Sequence, residues 1–157
     1  MFFKKGFTLI ELILVVTILG LVVVFSSVVF TNQQNQTSLE STILEVNSAI
    51  RESQNKSVSQ SQDASGDDNY GIYFTSTSYT VFKGINYSSN NSTNFVVNFS
   101  SGITLSQINL PNSQLIFDRL TGKLTAYSDV QNTLVFSSFD NVTKTVTINP
   151  YGAITIQ

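Results

Sequence analysis

The sequence predicts an α+β protein in which a long N-terminal helix packs on a C-terminal antiparallel β-sheet or sandwich. Residues 7–30 are an apolar run in which Glu11 is the single charged residue. The next stretch repeats apolar residues at helical spacing, as Leu39, Ile43, Val46 and Ile50. From residue 70 onward, short aromatic and β-branched runs alternate with polar turns, which is the pattern of an antiparallel sheet.

The apolar run is long enough to cross a bilayer as a helix. Residues 7–30 would extend about 36 Å at 1.5 Å per residue, and a hydrocarbon core is about 30 Å thick. Lys4 and Lys5 precede the run, and residues 31–36 after it are uncharged. The positive-inside rule therefore predicts a single-pass segment in the cytoplasmic (inner) membrane, with its N-terminus in the cytoplasm.

Composition argues against catalysis and against a bound cofactor. The 157 residues include no His and no Cys. The chain therefore lacks the commonest general base and every thiolate ligand, and we expect neither an enzyme, nor a cofactor, nor a metal site. Asp63, Asp67 and Asp68 could indicate calcium, but the EF-hand spacing and its closing Glu are absent, which favours a solvated loop.

Two ordinary interpretations of the N-terminus fit poorly. A secretory signal peptide has an apolar region of about 7–15 residues and a small-residue cleavage site, whereas this run is longer and "VFSSVVF" offers no such site. A plain signal anchor, as in a signal-anchored surface protein, fits the length but gives no reason for Glu11. A carboxylate in the bilayer is costly, so its presence needs an explanation.

The residues "KKGFTLIELILVVTILG" resemble the class III signal of type IV prepilins and type II secretion pseudopilins. Gly6, Phe7, Thr8 and Glu11 stand where that family has them. The resemblance implies a pilin-like fold, cleavage between Gly6 and Phe7 by prepilin peptidase, and N-methylation of the new Phe7 amine. The mature chain would then carry Glu11 as its fifth residue.

Cleavage would give Glu11 a counterion. The Phe7 amine is cationic, and Glu11 lies four residues on, about 6 Å along a helix axis. In a staggered bundle of parallel helices, Glu11 of one subunit could meet the Phe7 amine of its neighbour, so that neither charge is buried alone. The alternative is a Glu11 side chain that merely extends to the cytoplasmic headgroups. The flanking motif favours the assembly charge pair of Glu11 and Phe7.

The second half of the predicted helix is amphipathic, and strands follow it. Charged residues lie mainly off its apolar stripe: Glu40, Glu45, Arg51 and Glu52. The strand-like runs are "YGIYF" and "YTVF" as one hairpin, "NFVVNF", "QLIFD" and "KLTAY" as a second hairpin, "TLVFSSF", and finally "KTVTIN" and "AITIQ". Pro150 suits the second position of the last turn and Gly152 the fourth.

The C-terminal half is similar to H-type pseudopilins and FimT-like minor pilins, in "YGIYFTSTSYTVFKG", "LIFDRLTGKL" and "TVTINPYGAITIQ". Val28 stands where major pilins often carry a Pro. The resemblance implies a minor pilin or pseudopilin of a type II secretion pseudopilus or type IV pilus. Its partners would be prepilin peptidase, other pilin or pseudopilin subunits and the assembly platform in the cytoplasmic membrane.

These predictions divide the chain into four parts. They are a cleaved cytoplasmic leader at 1–6, a transmembrane and assembly helix at 7–30, an amphipathic helix at 31–62 and a β-rich domain at 63–157. After processing, the protein would leave the cytoplasmic membrane for a filament outside it.

A DNA-binding minor pilin for DNA uptake is an alternative function. Beyond residue 30 the chain has six basic residues, which are the eight of the whole chain less Lys4 and Lys5. It has nine acids there, the ten of the whole chain less Glu11, so the net charge is −3. This balance argues against binding the phosphates of nucleic acid.

Overall fold

The computed structural model describes residues 7–59 and 69–157, and the side chains of all of these except residues 26–35. Helix α1 spans Leu9–Ser59. The chain divides into two compact units, Met1–Gln34 and Asn35–Gln157, and α1 contributes to both. Among the described residues, no helix combines the length and the hydropathy needed to cross a bilayer.

Within residues 7–59 and 69–157, eight strands form two four-stranded antiparallel sheets. The strands are β1 (Tyr70–Phe74), β2 (Ser78–Lys83), β3 (Phe95–Asn98), β4 (Thr104–Asn109), β5 (Gln114–Phe117), β6 (Thr133–Ser137), β7 (Thr143–Ile148) and β8 (Ile154–Ile156). A short 3-10 helix, Pro111–Ser113, precedes β5. The first sheet has the order β3-β2-β1-β5, and the second has the order β4-β6-β7-β8. All ladders are antiparallel, as the alternation of short strands and polar turns predicts.

The helix stripe is buried as predicted. Leu39, Ile43, Val46 and Ile50 are almost inaccessible to solvent. They join one apolar cluster with residues from the inner faces of both sheets, including Ile72 and Phe117 from the first sheet and Phe136 and Val146 from the second. The predicted α+β architecture, a helix packed on antiparallel sheets, is therefore confirmed.

The last hairpin is built as the sequence predicts. The Gly152 N–H donates to the Asn149 carbonyl at 2.9 Å, which places Pro150 second and Gly152 fourth in the turn. Gly152 has a φ of +72°, and a Cβ there would lie 2.8 Å from the Phe117 ring. The turn therefore needs glycine both for its backbone conformation and for the space that Phe117 occupies.

The predicted strands differ from the observed ones at two places. The predicted strand "KLTAY" is wrong, because Leu124 makes one isolated bridge to Phe117 and its N–H donates to the Pro150 carbonyl, at 2.9 Å, in the other sheet's hairpin. Strand β4 was not predicted. Phe95 begins β3 as expected, but its side chain stays 66 % exposed.

The Ile43 side chain gives the most direct test of the helix stripe. An unpaired carboxylate at this buried position should cost several kcal/mol of the free energy of unfolding, so Ile43→Asp should unfold the Asn35–Gln157 unit. Leu44→Asp is the matched control, because Leu44 is the next residue and is 60 % exposed. It should change stability by about 0.5 kcal/mol or less. Thermal melting of both full-length variants checks this, and equal melting would show that the stripe faces elsewhere.

Tyr79 should make the fold sensitive to alkali. Its side chain is 4 % exposed, and its hydroxyl donates to Glu45 Oε1 at 3.5 Å. Burial, and then the Glu45 charge, raise the pKa of Tyr79 to about 12. The folded state then holds this proton more tightly than the unfolded state, whose tyrosine titrates near 10.

The sign of the effect follows from this difference in proton binding. Stability from Tyr79 is complete below a pH of about 10 and is lost as the pH rises toward 12. In urea titrations at several pH values, the free energy of unfolding of Tyr79→Phe should therefore fall less steeply between pH 10 and 12 than that of the wild type. Identical slopes would contradict the role given to Tyr79.

Candidate assembly and processing site

Helix α1 begins with a reciprocal set of hydrogen bonds between Thr8 and Glu11. The Thr8 N–H and the Thr8 hydroxyl both donate to Glu11 Oε2, at 2.9 and 2.8 Å. In return, the Glu11 N–H donates to Thr8 Oγ1 at 3.3 Å. This is a capping box, in which the N-cap residue and the third helical residue satisfy each other's backbone N–H groups.

The capping box gives Glu11 a role that the sequence prediction did not include. Thr8-Leu9-Ile10-Glu11 follows the Thr-x-x-Glu pattern of a helix start, which stands directly before an apolar run. The sequence itself carries this signal, and Thr8 supplies the hydroxyl that caps the helix. The Glu11 carboxylate also lies at the positive end of the helix dipole, where a negative charge is favourable.

Two of the three predicted site residues lie within the described part of the chain. Phe7 is exposed and immediately precedes Thr8, so its backbone nitrogen lies next to the capping box. Glu11 uses Oε2 in the box, and Oε1 takes no part in it. Gly6, on the other side of the predicted cleavage point, lies outside the described residues.

The first part of α1 exposes apolar side chains and satisfies its polar groups internally. Described side chains from Leu9 to Phe25 are exposed throughout this apolar segment. The Thr17 hydroxyl bonds to the carbonyls of Ile13 and Leu14, at 3.0 and 2.8 Å. Gly20 has no described atom of another element within 4 Å of where a Cβ would stand. The segment therefore offers an apolar surface to neighbouring chains or lipid, and a second helix could approach closely at Gly20.

Three basic side chains in the described part of the chain lie against a carboxylate or an aromatic ring. Lys144 pairs with Glu40, and Lys56 pairs with Glu52, each at 2.7 Å. Lys123 lies over the Tyr151 ring, 5.0 Å from its centroid. These three cations are engaged within the protein, and binding nucleic acid would require them to exchange these contacts for phosphates.

The loop between Arg119 and Lys123 is held by Asp118. Its Oδ1 atom accepts hydrogen bonds from the N–H and the hydroxyl of Thr121, both at 2.8 Å. These bonds from Thr121 lower the pKa of Asp118 below its usual value, so the carboxylate stays ionised.

No cluster of metal-ligating side chains occurs in the stretches 7–25, 36–59 and 69–157. The calcium alternative at Asp63, Asp67 and Asp68 falls on residues outside the described part.

Comparison with known proteins supports the N-terminal site and leaves the C-terminal half without a match. No curated protein and no solved structure is significantly similar to the chain. The likeness of the C-terminal half to H-type pseudopilins therefore receives no support from known proteins. Residues 1–27, which include the capping box and the predicted cleavage point, match the family model of the prokaryotic N-terminal methylation motif, the signal found in type IV pilins and pseudopilins.

Proposed function

We propose that this protein is a minor pilin or pseudopilin, a structural subunit that prepilin peptidase processes and that joins a type II secretion pseudopilus or a type IV pilus. The observation that carries the proposal is the methylation motif at residues 1–27, with Gly6, Phe7, Thr8 and Glu11 in place. The fold supports it, because a helix that starts at this motif continues into the buried stripe of a β-rich unit. A surface protein with a plain signal anchor would keep residues 1–6.

In this proposal the N-terminal motif determines the processing and the localisation of the chain. Residues 1–6 are the cytoplasmic leader, and prepilin peptidase cuts between Gly6 and Phe7 and methylates the Phe7 amine. Residues 7–30 hold the precursor in the cytoplasmic membrane as a single pass and later form the filament core. Residues 31–62 and 63–157 then stand outside that membrane, where they contact other pilin subunits while the assembly platform adds the chain to the filament.

Cleavage changes the electrostatics of the helix start. The new Phe7 amine carries a positive charge beside the helix N-terminus, where the backbone dipole already disfavours a cation. The negative charge of Glu11 offsets both the charge of the amine and the positive end of the helix dipole. The capping box holds the Glu11 carboxylate at the helix start through Oε2. Because Oε1 takes no part in the box, it is placed to accept the Phe7 amine of an adjacent subunit. One carboxylate then caps its own helix and sets the register of the next one.

The assignment to a minor, H-like subunit rests on the sequence. The chain contains no Cys, so the C-terminal loop cannot be closed by a disulfide as in major pilins of some bacteria. The hairpin of β7 and β8 around Pro150 and Gly152 carries Lys144 but no acidic residue, so it lacks the acidic cluster of major pseudopilins.

Processing is the first test of the proposal. We expect the mature protein to begin at Phe7 with one added methyl group, and intact-mass analysis of the membrane-extracted protein measures this. Gly6→Leu should stop cleavage, because the protease needs a bare backbone at this position. Gly6→Ala, with a far smaller side chain, should be cut more readily than Gly6→Leu. A mature chain that retains Met1 to Gly6, or that starts near Ser27, would reject the proposal.

Assembly is the second test, and it separates the charge of Glu11 from its role as a cap. Glu11→Gln keeps a capping-box acceptor but removes the charge. It should be cut and methylated normally and should be scarce in sheared filaments. Thr8→Val breaks the side-chain hydrogen bonds of the box but leaves the Glu11 charge, so it should still assemble. Glu11→Asp should be intermediate, because its carboxylate reaches less far.

Each variant is scored in cells that lack the wild-type copy. Glu11→Gln in filaments at wild-type levels would show that the charge pair is not needed. A defect in Thr8→Val as large as that in Glu11→Gln would show that the capping hydrogen bonds, and not the charge of Glu11, are what assembly requires.

A further inference from the structure

Strand β8 leaves backbone hydrogen-bonding groups facing outward. It ends the second sheet and pairs only with β7 among the described strands. Thr145 and Gln157 exchange both of their backbone hydrogen bonds, at 3.0 and 2.9 Å. Because such pairs alternate along an antiparallel ladder, Thr155 also faces β7, whereas the N–H and C=O groups of Ile154 and Ile156 point away from it.

An open groove runs between this strand edge and helix α1. Its volume is about 300 Å³, and its lining residues are Glu40, Ile43, Leu44, Lys144 and Ile156. Leu44 is 60 % exposed and Ile156 is 44 % exposed, so two large apolar side chains meet solvent here. The two charges of the lining neutralise each other, since Lys144 Nζ lies 2.7 Å from Glu40 Oε1. The groove thus offers apolar contact and backbone hydrogen bonds, with no net charge.

Strand β3 has the complementary properties. It ends the first sheet, carries no charged residue and presents Phe95 and Val96, which are 66 % and 56 % exposed. Successive side chains of a strand point to opposite faces, so either face of β3 offers one large apolar side chain. Its hydrogen bonds follow the same alternation: the Phe99 N–H donates to the Thr77 carbonyl, so the backbone groups of Val96 and Asn98 point outward.

We propose that β3 of a second copy of this chain adds to the β8 edge and fills the groove. In an antiparallel addition the outward groups of Ile154 and Ile156 would pair with those of Asn98 and Val96, so that Val96 would lie beside Ile156 and cover the groove next to Leu44. The contact joins two different edges, so it is heterologous and can repeat from copy to copy, as an open filament requires. A minor subunit needs only two copies for one such contact. The inference rests on the proposed function only for the placement of this contact in a filament. The contact between two chains can be tested in the absence of a filament.

Cysteine trapping tests which edges meet. The natural chain has no Cys, so each introduced thiol is unique. Full-length Val97→Cys and Thr155→Cys chains are mixed in detergent micelles and oxidised mildly, because the antiparallel addition places these two residues directly opposite each other on one face. We expect a disulfide-linked dimer that contains one chain of each kind. Leu120→Cys, at an exposed position outside β3, replaces Val97→Cys in the control mixture and should give little dimer.

A proline substitution tests whether the backbone carries the contact. Ile156→Pro removes the outward N–H without breaking a bond to β7, and proline is tolerated at the edge of a sheet. Ile156→Ala removes the same side chain but keeps the N–H. In the Thr155→Cys background, Ile156→Pro should lower the yield of mixed dimer roughly tenfold below that of Ile156→Ala, which is the upper range for one lost hydrogen bond.

The outcomes are distinct. Equal yields of mixed dimer from the Ile156→Pro and Ile156→Ala chains would overturn strand addition, because the contact would then not depend on the backbone N–H of residue 156. Dimers formed by Thr155→Cys alone, at the yield of the mixture, would overturn the heterologous contact. No mixed dimer from a chain that is cleaved and assembled normally would overturn this inference while leaving the proposed function intact.

Discussion

The burial of one stripe of helix α1 against two sheets is the interaction on which the rest of this fold depends. The two sheets share no strand, and each has an apolar inner face that must be shielded from water. Leu39, Ile43, Val46 and Ile50 supply that cover at four levels of the helix. Gln54 extends the attachment, because its side-chain amide donates to the Gly122 and Tyr151 carbonyls at 2.6 and 3.0 Å. The helix thereby joins one loop beside the first sheet to the closing hairpin of the second.

The same helix has a different surface in its first part. From Leu9 to Phe25 its side chains are exposed and almost all apolar, and the polar ones bond within the helix. A surface of this kind is stable only beside lipid or beside other apolar helices. One element is thus suited to two tasks, which are to hold a folded unit together and to leave an assembly surface uncovered. The capping box at Thr8 and Glu11 starts this helix next to the proposed cleavage point.

Sequence spacing predicts the elements that repeat regularly. The stripe from Leu39 to Ile50 keeps its helical period and is buried as expected, and most strands follow the alternation of the runs. Strand β4 escapes this approach because its register shifts between Leu105 and Gln107. Leu105 and Ile108 stand three positions apart in the sequence, so the period of two that identifies a strand is lost, and the bulge allows both to pack on the core. The run around Leu124 shows the opposite case: it has the residue pattern of a strand, but the Leu124 N–H bonds to the Pro150 carbonyl in the other sheet's hairpin and no strand forms.

The candidate site was predictable to the extent that its signals are local. Thr8 and Glu11 are three residues apart, and their pattern predicts the cap that the structure contains. The proposed partner of Glu11 is in another chain, and no periodicity within one sequence reports such a contact. The open edge of β8 is also hidden from the sequence, because it depends on which strand ends the sheet and on the exposure of Leu44 beside it.

A density map of the assembled filament, at a resolution that separates side chains, tests the central claim most directly. The claim is that Glu11 caps its own helix and also binds the amine of a neighbouring chain. The account predicts a Glu11 carboxylate oxygen within about 4 Å of the Phe7 nitrogen of an adjacent subunit, which is the range of an ion pair. A filament in which Glu11 contacts only its own Thr8, with the neighbouring Phe7 amine elsewhere, would contradict it.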